Sequence, residues 1–95
     1  AVPLEIMEAC GEAIALLEEY EAKGSVLAVS DAGCGAVFCR AALEAAGLNV
    51  AVNTRLMADR GRAAALDARA EALRAEYLPR AEAVYAKVCH RLGGN

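Results

Sequence analysis

Apolar residues recur every three or four positions along most of this chain, and three long stretches carry the pattern. In the first, Ile6, Met7, Cys10, Ala13, Ile14, Leu17 and Tyr20 have the spacing of one buried helix face. Pro3 suits a first helical turn, and Glu5 and Glu8 favour the positive end of the helix dipole. Lys23-Gly24 reads as the stop. The last stretch, residues 60–92, has the stripe Ala63, Leu66, Ala70, Leu73, Tyr77, Ala81, Val84, Val88 and Leu92. Asp59 is placed to cap it and Gly93-Gly94 to close it. Glu76 with Arg80 and Glu71 with Arg74 add surface pairs at helical spacing. Pro79 interrupts the hydrogen-bond ladder, but the stripe keeps phase on both sides, which predicts a kink rather than an end.

The middle of the chain is harder to read. Residues 24–29 (Gly-Ser-Val-Leu-Ala-Val) have strand propensity, and Gly33-Cys34-Gly35 then imitates the start of a dinucleotide-binding turn. Phe38 stands where that fingerprint needs its third glycine, and no second strand exists to pair with the first. An extended connection is therefore expected, with Ser30 or Asp31 capping a second helix. That helix is small and apolar from residue 32, with Arg40 and Glu44 as an i,i+4 pair, and it continues through Gly47 to about residue 56. A glycine inside a helix costs about 1 kcal/mol against alanine, so Gly33, Gly35 and Gly47 mark places where something else passes close by. The prediction is all-α: an antiparallel array of about three long helices in one domain over residues 1–95.

Composition changes that picture in one respect. The chain is 58% hydrophobic with a mean hydropathy of +0.30, yet 24 of its 95 residues are alanine. Alanine lets helices approach closely but buries little area, and so short a chain buries only roughly 60–65% of its unfolded surface. The array is expected to complete its core by oligomerisation, or with a missing N-terminal half. Six glutamates, Glu5, Glu8, Glu12, Glu18, Glu19 and Glu21, make the first helix acidic, while Arg55, Arg60, Arg62, Arg69, Arg74 and Arg80 make the later part basic. These read as helix faces that attract one another. A net charge of −3 argues against nucleic acid. Charge interrupts the apolar runs before membrane-spanning length, so no membrane partner is expected. Cys10, Cys34, Cys39 and Cys89 show no metal-type spacing and read as reduced, buried thiols of a cytoplasmic protein, with no metal.

Few side chains are candidates for chemistry. Asp31 is either a helix cap or a site carboxylate; at a helix start the anion is favoured, which suits a fixed acceptor for a ring N–H or a counter-charge to a cation better than a general acid. Asn49 and Asn53 lie on one face, four apart, where they can clasp a neighbouring helix or a heterocycle edge. Arg55 is either solvated or the fork that holds a carboxylate. His90, the sole histidine, sits beside Lys87 and Arg91 where a positive helix end is favourable. A Cys34–His90 nucleophilic pair lacks an orienting partner.

In order and spacing, Val2-Pro3-Leu4 through Gly24, the Ser30-Asp31-Ala32-Gly33 turn and Leu48-Asn49-Val50…Asn53-Thr54 resemble the formiminotransferase-cyclodeaminase and methenyltetrahydrofolate cyclohydrolase family, in the C-terminal half of its cyclodeaminase domain. The resemblance implies an all-helical, typically homodimeric protein of folate one-carbon metabolism. Cyclodeaminases close 5-formiminotetrahydrofolate to the 5,10-methenyl form with loss of ammonia, and cyclohydrolases interconvert the methenyl and 10-formyl forms. It further implies Asp31 as the catalytic residue, Ser30, Asn49, Asn53 and Arg55 as substrate-binding residues, and no cofactor beyond the folate substrate. Family members carry an additional N-terminal helical part with a glycine- and serine-rich segment that this sequence does not show, so the domain is expected to be partial. The alternative is a non-catalytic folate-binding or helical assembly module.

Overall fold

A computed structural model describes residues 2–23 and 26–93, and every regular element among them is helical. The helices are α1 (Val2–Lys23), α2 (Val26–Arg55) and α3 (Arg60–Arg91), laid up, down and up in a rod of 51 × 19 × 15 Å. Their apolar stripes meet along the axis in two clusters. One joins Leu4, Met7 and Cys10 of α1 to Leu43, Ala46 and Val50 of α2 and to Ala70 and Leu73 of α3. The other joins Val29 and Ala36 to Val84 and Val88, with Leu17 against them. Burial of these faces, rather than helix propensity, holds such elements in place.

The third helix forms over the stretch its sequence predicts. Asp59 caps it, its side chain accepting a hydrogen bond from the Arg62 N–H at 3.0 Å, and the helix runs unbroken through Pro79. Leu92, placed at the end of the expected stripe, lies just past the helix and is exposed.

The start of α2 corrects the sequence reading. Residues 26–29 are helical, not extended, and Ser30 and Asp31 sit in the second turn instead of at the cap. Gly24 and Ser25 lie outside the described residues. The reason is packing: Val29 and Ala36 point into the core at helical spacing and are almost fully buried, which outweighs the strand preference of β-branched residues. With the helix start moved upstream, the dipole argument for Asp31 loses its basis, since that effect fades within the first turn.

Close approaches explain two of the expected glycines. A side chain at position 33 would press on Val88, with Cγ1 only 2.8 Å from its Cβ, and one at position 35 would meet Leu17 at 3.0 Å. Gly33 thus lets α2 seat against α3, and Gly35 seats it against α1.

The charged faces pair as expected between helices, though not always with the expected partners. Glu8 meets Arg69 at 3.2 Å and Glu18 meets Arg80 at 2.7 Å, and the Arg91 guanidinium donates to the Glu21 backbone carbonyl. Arg40 and Glu44 do not pair within α2; each reaches across to α3, Arg40 to Glu82 at 3.1 Å and Glu44 to Arg74 at 2.7 Å. An i,i+4 pair gains little on a single helix, and an oppositely charged neighbour on the next one competes with it directly.

Three further expectations change. On α1, Ile6 and Tyr20 belong to the sequence stripe but are 44% and 60% exposed, so the apolar band is wider than the face the bundle covers. Among the cysteines, all free thiols, only Cys10 is buried, and Cys34 is exposed. Burial pushes the Cys10 thiol above its ordinary range, with Cys39 nearby adding to the effect. Over Ala28–Arg55, α2 is long and apolar enough to cross a membrane by length and composition, despite Arg40 and Glu44. A helix of a packed bundle meets the same test.

Candidate functional site

One helix, α2, positions all five residues singled out in the sequence. Asp31 and Asn49 are eighteen positions apart, about five turns, so they project on the same bearing. Asn53 follows one turn beyond Asn49. All three are exposed. The same side of α2 carries Phe38, 72% exposed, and Val52, 58% exposed, and Leu56 just past the helix end is 81% exposed. The outcome is a solvent-facing strip in which isolated polar groups interrupt a surface otherwise made of carbon. Exposed apolar side chains gathered on one side of a helix are a feature of binding surfaces, and the amides and carboxylate among them keep free hydrogen-bonding capacity.

The helix also keeps these groups apart. At 1.5 Å per residue Asp31 and Asn49 stand roughly 27 Å from one another along the axis. Ser30 turns away from Asp31, is half-buried, and lines an apolar groove of about 310 Å³ between α2 and α3 with Gly33, Phe38 and Tyr85. In that groove the Tyr85 hydroxyl titrates higher than usual, chiefly through its hydrogen bond with Cys89. Arg55 is exposed at the far end of α2, where it borders a cavity of about 380 Å³ with Thr54, Arg60 and Asp67. The five residues therefore fall into two groups at opposite ends of α2, Ser30 with Asp31 and Asn49 with Asn53 and Arg55, and of these Asp31, Asn49 and Asn53 lie on the strip.

The turn from α2 to α3 contains a polar cluster that the sequence reading missed. Thr54 is buried, and its hydroxyl donates to Asp67 Oδ1 at 2.6 Å. Arg60 Nη1 donates to the Thr54 and Met57 carbonyls, each at 2.9 Å, satisfying acceptors that the end of α2 leaves open. This clasp fixes the angle at which α3 leaves α2. Its only signal in the sequence is a hydroxyl at the end of an apolar helix and an aspartate two turns into the next.

His90 is exposed on α3. Among the described residues no three His, Cys, Asp or Glu side chains gather where they could hold a metal ion.

Compared with known proteins, residues 1–72 match a family model described as formiminotransferase-cyclodeaminase. The match takes in α1, α2 and the first part of α3, including the whole outer strip of α2. No curated protein and no solved structure matches the chain.

Proposed function

The chain belongs to the formiminotransferase-cyclodeaminase family, matched over residues 1–72, and on that premise we propose that it acts on a tetrahydrofolate one-carbon derivative. Membership ties it to folate-related one-carbon metabolism; that match is the observation that carries the reading. The reaction is closure of 5-formiminotetrahydrofolate to the 5,10-methenyl form with loss of ammonia, or the hydrolytic interconversion of the methenyl and 10-formyl folates. Neither needs a cofactor besides the folate.

Chemically, Asp31, Asn49, Asn53 and Arg55 each have a task that fits such a ligand. A methenyl folate is cationic, and an aspartate fixed beside it offsets that charge or accepts from a ring N–H. Two amides one turn apart match the alternating donors and acceptors of a pterin edge. Arg55 offers a planar fork to the carboxylates of the glutamate tail.

A second copy of the chain resolves the distance between the two groups. If two α2 helices pack antiparallel about a two-fold axis near residues 40–42, residue 31 of one copy meets residues 49–53 of the other. The exposed Ala41 and Ala45 lie close to that centre, where small side chains allow helices near contact. The exposed Phe38 of each copy would then cover alanines of its neighbour. In this arrangement Ser30 and Asp31 come from one protomer, Asn49, Asn53 and Arg55 from the other, and the strip is no longer open to water. The reading supposes a homodimer with reduced thiols, as in the cytoplasm.

The test is thermal. With 5-formyltetrahydrofolate the melting temperature rises, and Asp31→Ala abolishes the rise. Absorbance of the methenyl product then separates turnover from binding: a flat trace with ligand demonstrably bound leaves a folate-binding module, and no stabilisation at all leaves a helical assembly module.

A further inference from the structure

A groove of about 660 Å³ between α2 and α3, on the other flank of α2 from Asp31, points to a second ligand site. Its volume lies in the range of small-molecule sites. Met7, Gly47 and Ala70 make an apolar floor; with no Cβ at Gly47, the nearest side-chain atom to that position is Met7 Cε at 3.6 Å, so a flat group can lie directly on the backbone of α2.

The walls are charged, and unevenly so. Glu44, Asp67 and Glu71 face the groove with Arg74 as the one cation among its lining residues. Arg74 Nε is already engaged, donating to Glu44 Oε1 at 2.7 Å, which closes one end of the groove with a neutralised pair. Asp67 is held from behind by the buried Thr54 hydroxyl at 2.6 Å, so its carboxylate is oriented before any ligand arrives. Asp67 and Glu71 are one turn apart on α3, a spacing at which like charges oppose the helix. A cation seated between them would relieve that repulsion.

We propose that this groove binds a small organic cation with a planar apolar body and an amidinium head. The ring lies over Gly47, Met7 and Ala70, and the head donates to Asp67 and Glu71, in the charge-assisted geometry that favours such pairs. None of the groove's residues belongs to the outer strip, although Ala51 and Asp67 also border the cavity beside Arg55.

Benzamidine tests this on the whole chain, with benzoate as a control of the same shape and opposite charge. In an amide-resolved NMR titration, benzamidine should shift the signals of residues 44, 47, 67, 70, 71 and 74 saturably, and benzoate should leave them unmoved. Glu71→Gln, which keeps the Thr54–Asp67 bond, should weaken benzamidine by about tenfold, the scale of one lost charge-assisted contact, while leaving the melting temperature equal or higher. Adding Asp67→Asn should weaken it further. Unmoved groove signals, equal responses to the two compounds, or undiminished binding by Glu71→Gln would each overturn the proposal.

Discussion

The ring of Tyr77 on α3 occupies the space that any side chain at position 11 of α1 would need. A Cβ built on Gly11 would overlap the ring edge, and the ring is in turn held by the Arg80 guanidinium, whose carbon sits 4.9 Å from its centroid. Gly11→Ala should therefore be destabilising by about 1–3 kcal/mol, the cost of overpacking. At Gly47, where the nearest side-chain atom lies at an ordinary 3.6 Å, alanine should instead stabilise by about 0.5–1 kcal/mol. Chemical denaturation of the two variants checks the opposite signs.

A pH dependence follows from the bond between Glu18 and Arg80. Arg80 Nε and Nη2 donate to the two oxygens of Glu18 at 2.9 and 2.7 Å, and this hydrogen bonding holds the Glu18 carboxyl below its usual value of 4.5. A carboxylate depressed in the folded state adds stability that is complete above the unfolded value and is lost as pH falls through the folded one. Glu18→Gln should thus melt lower than the parent at neutral pH, and the two melting curves should converge as the pH drops below 4.5. A gap that persists in acid would assign the effect to packing.

Thr54 tests the clasp at the α2–α3 turn. Thr54→Val keeps the shape and removes the 2.6 Å bond to Asp67. Asp67 is exposed and regains water, so the cost should be about 1 kcal/mol, or roughly 4–8 °C in a domain this small. Calorimetry of the variant measures it.

Much of the fold is legible in one dimension. Helical spacing, Asp59 before the third stripe and the close-packed Gly33 and Gly35 each report local or nearest-neighbour physics, and the structure follows them, whereas Gly47 has only an ordinary contact at 3.6 Å. Residues 26–29 mislead because Val-Leu-Ala-Val has strand preference by itself, and only the partners of Val29 and Ala36 on α3 decide the matter. Arg40 and Glu44 mislead for a related reason: spacing along one helix says nothing of what stands opposite, here Glu82 and Arg74. For the site, periodicity places Asp31, Asn49 and Asn53 on one bearing but is silent about axial distance. The separation of the two groups emerges once residues 26–55 form a single unbroken helix. The Thr54–Asp67 clasp leaves only a faint signal in the sequence because it depends on the turn geometry between helices.

Mixing two inactive variants tests the composite site most directly. Asp31→Ala and Asn49→Ala, purified separately, should each fail to bind 5-formyltetrahydrofolate in equilibrium titration. Dissociated and reassembled together, they should regain about a quarter of the wild-type sites, because half of the pairs are mixed and each mixed pair has one intact site. A mixture as inert as its parents, or an Asp31→Ala protein that binds as well as wild type, would contradict the account.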